Sequence, residues 1–559
     1  AVFTDDLHVE NMLFAKVRRA MVPHALLKRL DTSRAQALNG VKAVLTAADI
    51  PGEQNHGLIR HDWPALVGIG QRIRYVGDAI AIVAAETTEI AAQAILLIEA
   101  DFELLPVISN PLQAQDENQP KLHESGNLLK HIKVRKGDVA EGFQGADVIL
   151  EHTFHTQTTD HAFLEPESSL AVPTSDGRLE IYVGSQIPYA DREQIARVLG
   201  WEENRVRIVG QHMGGGFGGK EDIAGQIHAA LLANATQRPV KLTYDRHESL
   251  LAHPKRHATQ IRVKIGAQKN GKISAIETEL YGDTGAYASL GEKVMERATT
   301  HSAGPYDVPH VRNDCYAMYT NNPPAGAFRG FGVTQSAFAI ESMMDMLAEK
   351  LAMDPVALRK LNALHIGSQT NTGQVLDESV GLMACLERLE HEMRQSNPNP
   401  FKPVVNPQNP NLIKAWGIAA AYKNTGLGGG APDFSNAEIE LFDDGSFEIR
   451  SSAAELGQGL VTVMQLIVAE ELSVPPEKVR VLVMDTDLTP DGGPTTASRQ
   501  TYITGNAVRL ATQKLREIIT AFLENTYAVS PEKITFSGGS VQVNSQSLSF
   551  SQISKSMEN

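Results

Sequence analysis

The stretch Val206-Arg-Ile-Val-Gly-Gln-His-Met-Gly-Gly-Gly-Phe-Gly-Gly-Lys-Glu221 constrains this chain more than any other. Its β-branched start, Val206 to Val209, predicts a strand. Five glycines then surround one aromatic, Phe217, and an apolar helical pattern runs from Ile223 to Leu232. Glycines at this density permit positive φ angles and let the backbone approach a ligand closely. Amides at the start of the following helix favour an anionic group such as a phosphate.

Two phosphate-binding loops resemble this spacing. Gly214, Gly216 and Gly219 satisfy the dinucleotide-binding pattern, although the acidic residue it calls for, Asp245, comes late, beyond a candidate strand from Pro239 to Tyr244. Gly214 to Lys220 also follows the P-loop until Glu221 stands where a serine or threonine should hold magnesium. A carboxylate there repels a triphosphate, which excludes the P-loop. The dinucleotide module and a ligand-free glycine turn both stay open on this loop alone.

At 559 residues the chain is long enough for two to four domains, and its 42% hydrophobic and 21% charged residues are those of an ordinary globular protein. A net charge of −15 without a long basic run argues against nucleic acid or an anionic membrane surface as partner. Two cysteines, Cys315 and Cys385, cannot build a disulfide framework or a four-thiolate metal site, and they fit a reducing, cytoplasmic setting. No apolar run is long enough for a bilayer, and no signal pattern opens the chain. The missing initiator Met and the unclosed C-terminus lead us to expect a piece of a longer polypeptide.

Residues 1–110 alternate strand and helix patterns and form a compact α/β unit. Gly77 to Ala84 is a buried strand, Thr88 to Leu97 a helix, and Ile98 onward a strand ending at Pro106. His8 and His24 stand alone, so surface or capping roles are expected of them. Residues 111–135, which open at Asn110-Pro111 and carry Asp116 to Pro120, read as a linker. His152, His155 and His161, with Glu165 and Glu167, invite a metal reading. His152 and His155 are three apart on a strand and face opposite sides, which favours surface and hydrogen-bonding roles over ligation.

An internal echo is more informative. A strand from Leu179 leads to Gln186, a helix covers Ala190 to Leu199, and Arg205 to Val209 is the next strand. Later a strand from Phe447 leads to Gln458, a helix covers Val461 to Leu472, and Lys478 to Val483 returns as a strand. Two strand–Gln–helix–strand units suggest a duplicated subdomain with a ligand between the copies. A second small-residue loop, Pro323-Pro-Ala-Gly-Ala-Phe-Arg-Gly-Phe-Gly332, precedes a helix from Gln335 to Leu351. Its Arg329 is expected to be buried against an anion or several carbonyls. Residues 395–413 are rich in Asn and Pro and read as a linker. Asn424 to Gly430 and Thr495 to Asn506 are loops of small and hydroxyl residues suited to wrapping a polar ligand.

Taken together, Gly-Gly-Gly-Phe-Gly-Gly-Lys-Glu (214–221), Ala-Phe-Arg-Gly-Phe-Gly (327–332), Glu-Leu-Gly-Gln-Gly (455–459) and Thr-Ala-Ser (496–498) resemble the molybdenum-binding subunit of the xanthine dehydrogenase and aldehyde oxidase family, over nearly the whole chain. The resemblance implies an α+β or α/β chain. It comprises a hammerhead-like domain at 1–110, a linker at 111–135, a molybdopterin-binding domain whose first part is 136–394, the Asn/Pro-rich linker 395–413, and a second part at 414–559.

It also implies a molybdenum held by the sulfurs of a pterin, either as the plain molybdopterin or as its cytosine dinucleotide, rather than by His or Cys. Gln186 is then expected to hydrogen-bond an oxygen on the metal. Phe217, flanked by Gly216 and Gly218, and Arg329 offer backbone contacts near the metal without ligating it. Gln458, Ala497 and Ser498 hold the pterin and its phosphate. Glu221 and Arg297 match a pair that grips the purine in purine-oxidising members, and Phe331 matches one stacking aromatic. The second aromatic is missing from Asn424 to Pro432. The family's general-base glutamate falls beyond Asn559, so no catalytic base is assignable here.

The activity implied is hydroxylation of a xanthine- or hypoxanthine-like heterocycle with water as oxygen source, in an oligomer. [2Fe-2S] clusters and FAD would lie on partner subunits or segments outside this sequence. An aldehyde or other N-heterocycle hydroxylase of the same family is the alternative, and the dinucleotide module a more distant one.

Overall fold

The computed structural model describes residues 1–557; Glu558 and Asn559, the end of the expected second molybdopterin-binding part, lie outside the described residues. The chain divides into two compact units. One contains Ala1–Pro106, Asp160–Pro254 and the chain from Asn424 onward, and the other Val107–Thr159 and Lys255–Lys423.

The first unit is built on a seven-stranded sheet in the order Val206–Gly210, Leu179–Val183, Ser168–Pro173, Val240–Thr243, Leu13–Arg19, Ala79–Ala85, Val41–Leu45. Ala79–Ala85 is apolar at every position and buried at every position, as an interior strand covered on both faces must be. Leu13–Arg19 pairs in parallel with Val240–Thr243, Leu13 opposite Val240. The N-terminal α/β segment therefore shares its sheet with residues 160–254.

The two echoing stretches fold alike. Leu179–Val183 and Val206–Gly210 are parallel neighbours joined by the helix Pro188–Leu199. Phe447–Ser451 and Val479–Val483 are parallel neighbours joined by the helix Leu460–Leu472. Each has an antiparallel strand before it, Ser168–Pro173 and Glu438–Leu441 respectively, and a 3-10 turn before its last strand. Local signals set the first helix: proline stands in its first turn, and Gly200 ends it in the left-handed conformation at φ 66°.

The helix after the glycine loop starts at Gln226, later than the apolar pattern from Ile223 suggests. Between loop and helix the chain makes a 3-10 turn, Gly219–Glu221. The amide of Ala224 is taken by the Gln226 side chain. The 3-10 turn and residues 222–225 thus separate the glycine loop from the first turn of the helix.

The second unit carries a five-stranded sheet in the order Val148–Thr156, Thr259–Ala267, Ile273–Gly285, His310–Tyr319, Leu128–Lys136. Its one parallel pair, Ile273–Gly285 with His310–Tyr319, is bridged by the helix Gly291–Thr300. The long helix Val333–Leu351 packs its apolar face on the same core. The segment read as a linker at 111–135 supplies the short helix Pro111–Ala114 and most of the edge strand Leu128–Lys136. The segment 395–413 contributes a hairpin of Val404–Asn406 with Asn409–Lys414. Among the described residues no helix is long and apolar enough to cross a membrane.

Candidate functional site

In the first unit the glycine loop closes over Gln186, which lies just past the strand Leu179–Val183 and is 2% exposed. The Gln186 Oε1 accepts the Gly218 N–H at 3.1 Å. Its Nε2 donates to the Thr495 carbonyl at 2.8 Å and faces Glu221 Oε1 at 3.4 Å. Its backbone joins the same pair of loops, donating to the Lys220 carbonyl and accepting from the Thr495 N–H, both at 2.9 Å. Gln186 therefore links the glycine loop to the loop 495–498.

The backbone here is held in conformations that cost energy. Phe217 sits at φ 54°, Ala497 at 51° and Ser498 at 55°. A left-handed L-residue costs about 1–2 kcal/mol, and two in succession are rare. Gly215 and Gly218 take φ 106° and 96°. Gly216 is needed for space instead, since a Cβ there would lie 2.7 Å from Gln186 Oε1. Beside these glycines Phe217 is 46% exposed, so its side chain is not packed away in the core. After Ser498 comes a π-turn, Gln500–Thr504, a distortion frequent at functional sites.

We expect Gly216→Ala to push the Gln186 amide off Gly218 and to destabilise the chain by about 1–3 kcal/mol. Urea unfolding measures the cost, and the molybdenum and pterin content of the assembled enzyme shows whether the loop's ligand is lost as well.

Glu221, at the end of the loop, is 5% exposed. Burial pushes its carboxyl up to about 8, helped by the neighbouring Asp222 carboxylate and opposed by a hydrogen bond with the Thr496 side chain. At neutral pH Glu221 is thus a protonated acid that can donate a hydrogen bond. Asp191, fully buried in the first turn of Pro188–Leu199, is likewise raised by burial, to about 7.

Gln458 lies in the matching loop of the second repeat. It is exposed, and its amide is engaged locally with the Leu456 N–H and the Ala454 carbonyl. Leu456 reaches the glycine loop, 3.4 Å from where a Gly216 Cβ would stand. The Ala454 N–H donates to the Thr495 hydroxyl at 2.8 Å.

In the second unit Arg297 occupies the last turn of the helix Gly291–Thr300, where a cation is favoured by the helix dipole. The Lys423 ammonium is lowered by burial and, after that, by the Arg297 charge, so the two cations are neighbours. Tyr422 places its ring 4.7 Å from His301, just beyond the same helix. Phe331 is half-buried at φ 48° and packs against the second unit's core.

Arg329 is not buried as expected: its side chain is exposed, and its carbonyl accepts from Arg256 Nη2 at 2.8 Å. A guanidinium carries five donors and stays in water unless carbonyls or carboxylates surround it. A buried arginine of the first unit is Arg499, with no exposed surface. It donates to Asp433 at 2.6 Å, to the Gly492 and Pro494 carbonyls at 2.9 and 3.0 Å, and to the Phe434 carbonyl. These bonds shape the turn that leads into Ala497 and Ser498. Arg499→Met leaves the largely buried Asp433 unpaired, and we expect a loss of about 3–5 kcal/mol in denaturant unfolding.

Sequence reasoning missed Thr495, Thr496 and Arg499 as individuals, although it marked their loop. It also missed Tyr422, two residues before the segment searched for an aromatic. Of the two carboxylates considered for metal binding, Glu165 bonds Lys220 and Gly214, and Glu167 accepts from the Ser249 hydroxyl. Among the described residues no three His, Cys, Asp or Glu side chains are grouped to hold a metal. Asp245, the acid considered for a dinucleotide ribose, caps its own helix by accepting the Glu248 N–H.

Comparison with known proteins places these loops in a wider set. Residues 122–363 and 387–559 each match a molybdopterin cofactor-binding domain model, and residues 1–106 match the aldehyde oxidase and xanthine dehydrogenase a/b hammerhead domain. The chain is 37% identical over 510 residues to a probable xanthine dehydrogenase subunit of Bacillus subtilis, covering 91% of this chain and 67% of that one. It is 43% identical over 390 residues to the nicotinate dehydrogenase large molybdopterin subunit of Eubacterium barkeri, covering 69% and 91%. To the putative xanthine dehydrogenase molybdenum-binding subunit of Escherichia coli it is 32% identical, covering 93% and 70%. The solved aldehyde oxidoreductase of Desulfovibrio gigas superposes with a TM-score of 0.83 at 29% identity; the match takes in 92% of this chain and 57% of that enzyme. All three curated relatives are, by name, subunits of larger enzymes.

Proposed function

The chain belongs to the xanthine dehydrogenase and aldehyde oxidase family of molybdopterin-dependent oxidoreductases, and from that premise we propose that it is the molybdenum subunit of an enzyme hydroxylating a purine-like N-heterocycle. The residues around Gln186 fit a pterin cofactor on physical grounds. Buried glycines, left-handed Phe217, Ala497 and Ser498, and a buried amide joining both loops make a backbone-lined cradle. In this reading Gly216, Phe217 and Gly218 line the metal end, with Gln186 oriented toward it. Gln458, Ala497 and Ser498 hold the pterin and its phosphate, and the Arg329 backbone is assigned to the same cofactor. Bound molybdopterin would supply the two-electron oxidation, with water as the source of oxygen.

The observation that carries the purine reading is Glu221, a carboxyl kept neutral by burial at the end of the glycine loop. A neutral acid donates a hydrogen bond to a ring nitrogen or exocyclic oxygen and passes its proton as charge builds on the ring. Arg297 is proposed to stabilise the negative charge that develops on the heterocycle, and Phe331 to stack on it. Electrons would leave through iron–sulfur and flavin centres outside this chain, on partner subunits or further segments.

A second reading, oxidation of a different N-heterocycle, is favoured by the nicotinate dehydrogenase subunit, which is 43% identical along 91% of its length. Steady-state rates of the intact enzyme with xanthine, hypoxanthine, nicotinate and an aromatic aldehyde decide between them. The purine reading expects xanthine or hypoxanthine to have the highest kcat/KM. Preference for nicotinate transfers the assignment to the second reading.

A further inference from the structure

We propose that Glu165 and Lys220 are positioning residues, a buried pair that holds the glycine loop in the shape that receives its ligand; this rests on the molybdopterin reading of that loop. The Lys220 ammonium lies 2.6 Å from Glu165 Oε2, and the same oxygen accepts the Gly214 N–H at 2.7 Å. One carboxylate oxygen thus ties both ends of the segment 214–220. The two side chains are 7% and 11% exposed, and the ammonium also sits 5.2 Å from the centre of the Phe163 ring.

Close approach is built in. A Cβ on Gly214 would lie 2.4 Å from the Glu165 Cβ, and the Leu164 N–H returns a bond to the Gly214 carbonyl at 3.1 Å. At its far end the segment meets Gln186, because the backbone carbonyl of Lys220 accepts the Gln186 N–H.

The physical need is entropic. A loop of glycines has more conformations to lose than any other sequence, and it packs no side chains of its own to select one. Here it must hold Phe217 left-handed and aim the Gly218 N–H at Gln186. A buried ion pair is a poor source of stability compared with an apolar pair of like volume, but its directional bonds fix geometry. Glu165 and Lys220 restrain the loop at its two ends, Gly214 and Lys220.

The test compares Lys220→Met, Glu165→Leu and the double variant in the complete enzyme, assembled in a host competent for the cofactor. Molybdenum and pterin content are measured, together with the thermal midpoint after cofactor extraction. Each single variant strands a charge and is expected to lose both. The double variant strands none, so its extracted form is expected to melt close to the parent. Its molybdenum and pterin content is nevertheless expected to fall about tenfold or more, with an altered molybdenum(V) paramagnetic resonance line shape in the fraction still loaded.

Cofactor content that recovers together with the midpoint would overturn the proposal and leave the pair a purely structural one. If the apolar pair itself lowers the midpoint, Glu165→Gln decides. It keeps an acceptor for Gly214 and weakens only the bond to Lys220, so it is expected to retain an intermediate cofactor content, and parent-level retention overturns the proposal. A parent enzyme that carries neither molybdenum nor pterin refutes the cofactor reading itself, whatever the pair does.

Discussion

Glu221→Gln is expected to stabilise the cofactor-free chain by about 3–5 kcal/mol at pH 9 and to leave its stability unchanged at pH 4. Folding raises this carboxyl from its usual 4.5 to about 8, chiefly through burial. Below pH 4.5 both folded and unfolded chains carry the proton, and glutamine offers no advantage. Between pH 4.5 and 8 the unfolded chain gives up the proton and the folded chain keeps it, so the parent loses stability steadily as pH rises. Above 8 the loss is complete, because the folded carboxylate is then ionised as well.

Glutamine mimics the neutral acid and escapes this loss. Asp191, raised in the same sense, is present in both proteins and cancels in the difference. Urea unfolding at the two pH values measures the effect; equal stabilities at pH 9 would mean that Glu221 ionises like a surface carboxylate. The same substitution removes a transferable proton, and under the proposed function kcat for a purine should drop about 100-fold.

Arg297→Met should lower kcat/KM of the intact enzyme for a xanthine-type substrate by about 100- to 1000-fold, the range seen when a group that stabilises developing charge is removed. Its effect on an aldehyde should be much smaller, since no heterocyclic anion forms. Arg297 has a partly buried position in the last turn of its helix, with the Lys423 ammonium as neighbour. Unchanged turnover in the variant removes Arg297 from the mechanism.

Much of the local structure was legible in the sequence. The strands at 79–85, 179–183, 206–210, 447–451 and 479–483 and the helices between them lie within a few residues of their expected positions. Apolar period, proline at the start and glycine at the stop are local signals that act within one element. The glycine loop was legible as a candidate site because five glycines around one aromatic allow a close backbone approach. Arg329 was misread as buried because neighbouring glycines and aromatics say how the backbone turns, not where a long side chain ends. Arg499, which is buried, is surrounded by the Asp433 carboxylate and three carbonyls, of Phe434, Gly492 and Pro494, whose convergence no short pattern records.

The sequence by itself determined the duplicated strand–Gln–helix–strand units, the loops that carry the cofactor motifs and the family to which they belong. Only the tertiary structure decided that Leu13–Arg19 shares a sheet with Val240–Thr243, that Gln186 joins Gly218 to Thr495, and that Glu221 is buried deeply enough to keep its proton at neutral pH. The physical reason is range. Periodicity, caps and glycine freedom are properties of adjacent residues, whereas strand pairing, hydrogen-bond partnership and desolvation depend on groups brought together from distant parts of the chain.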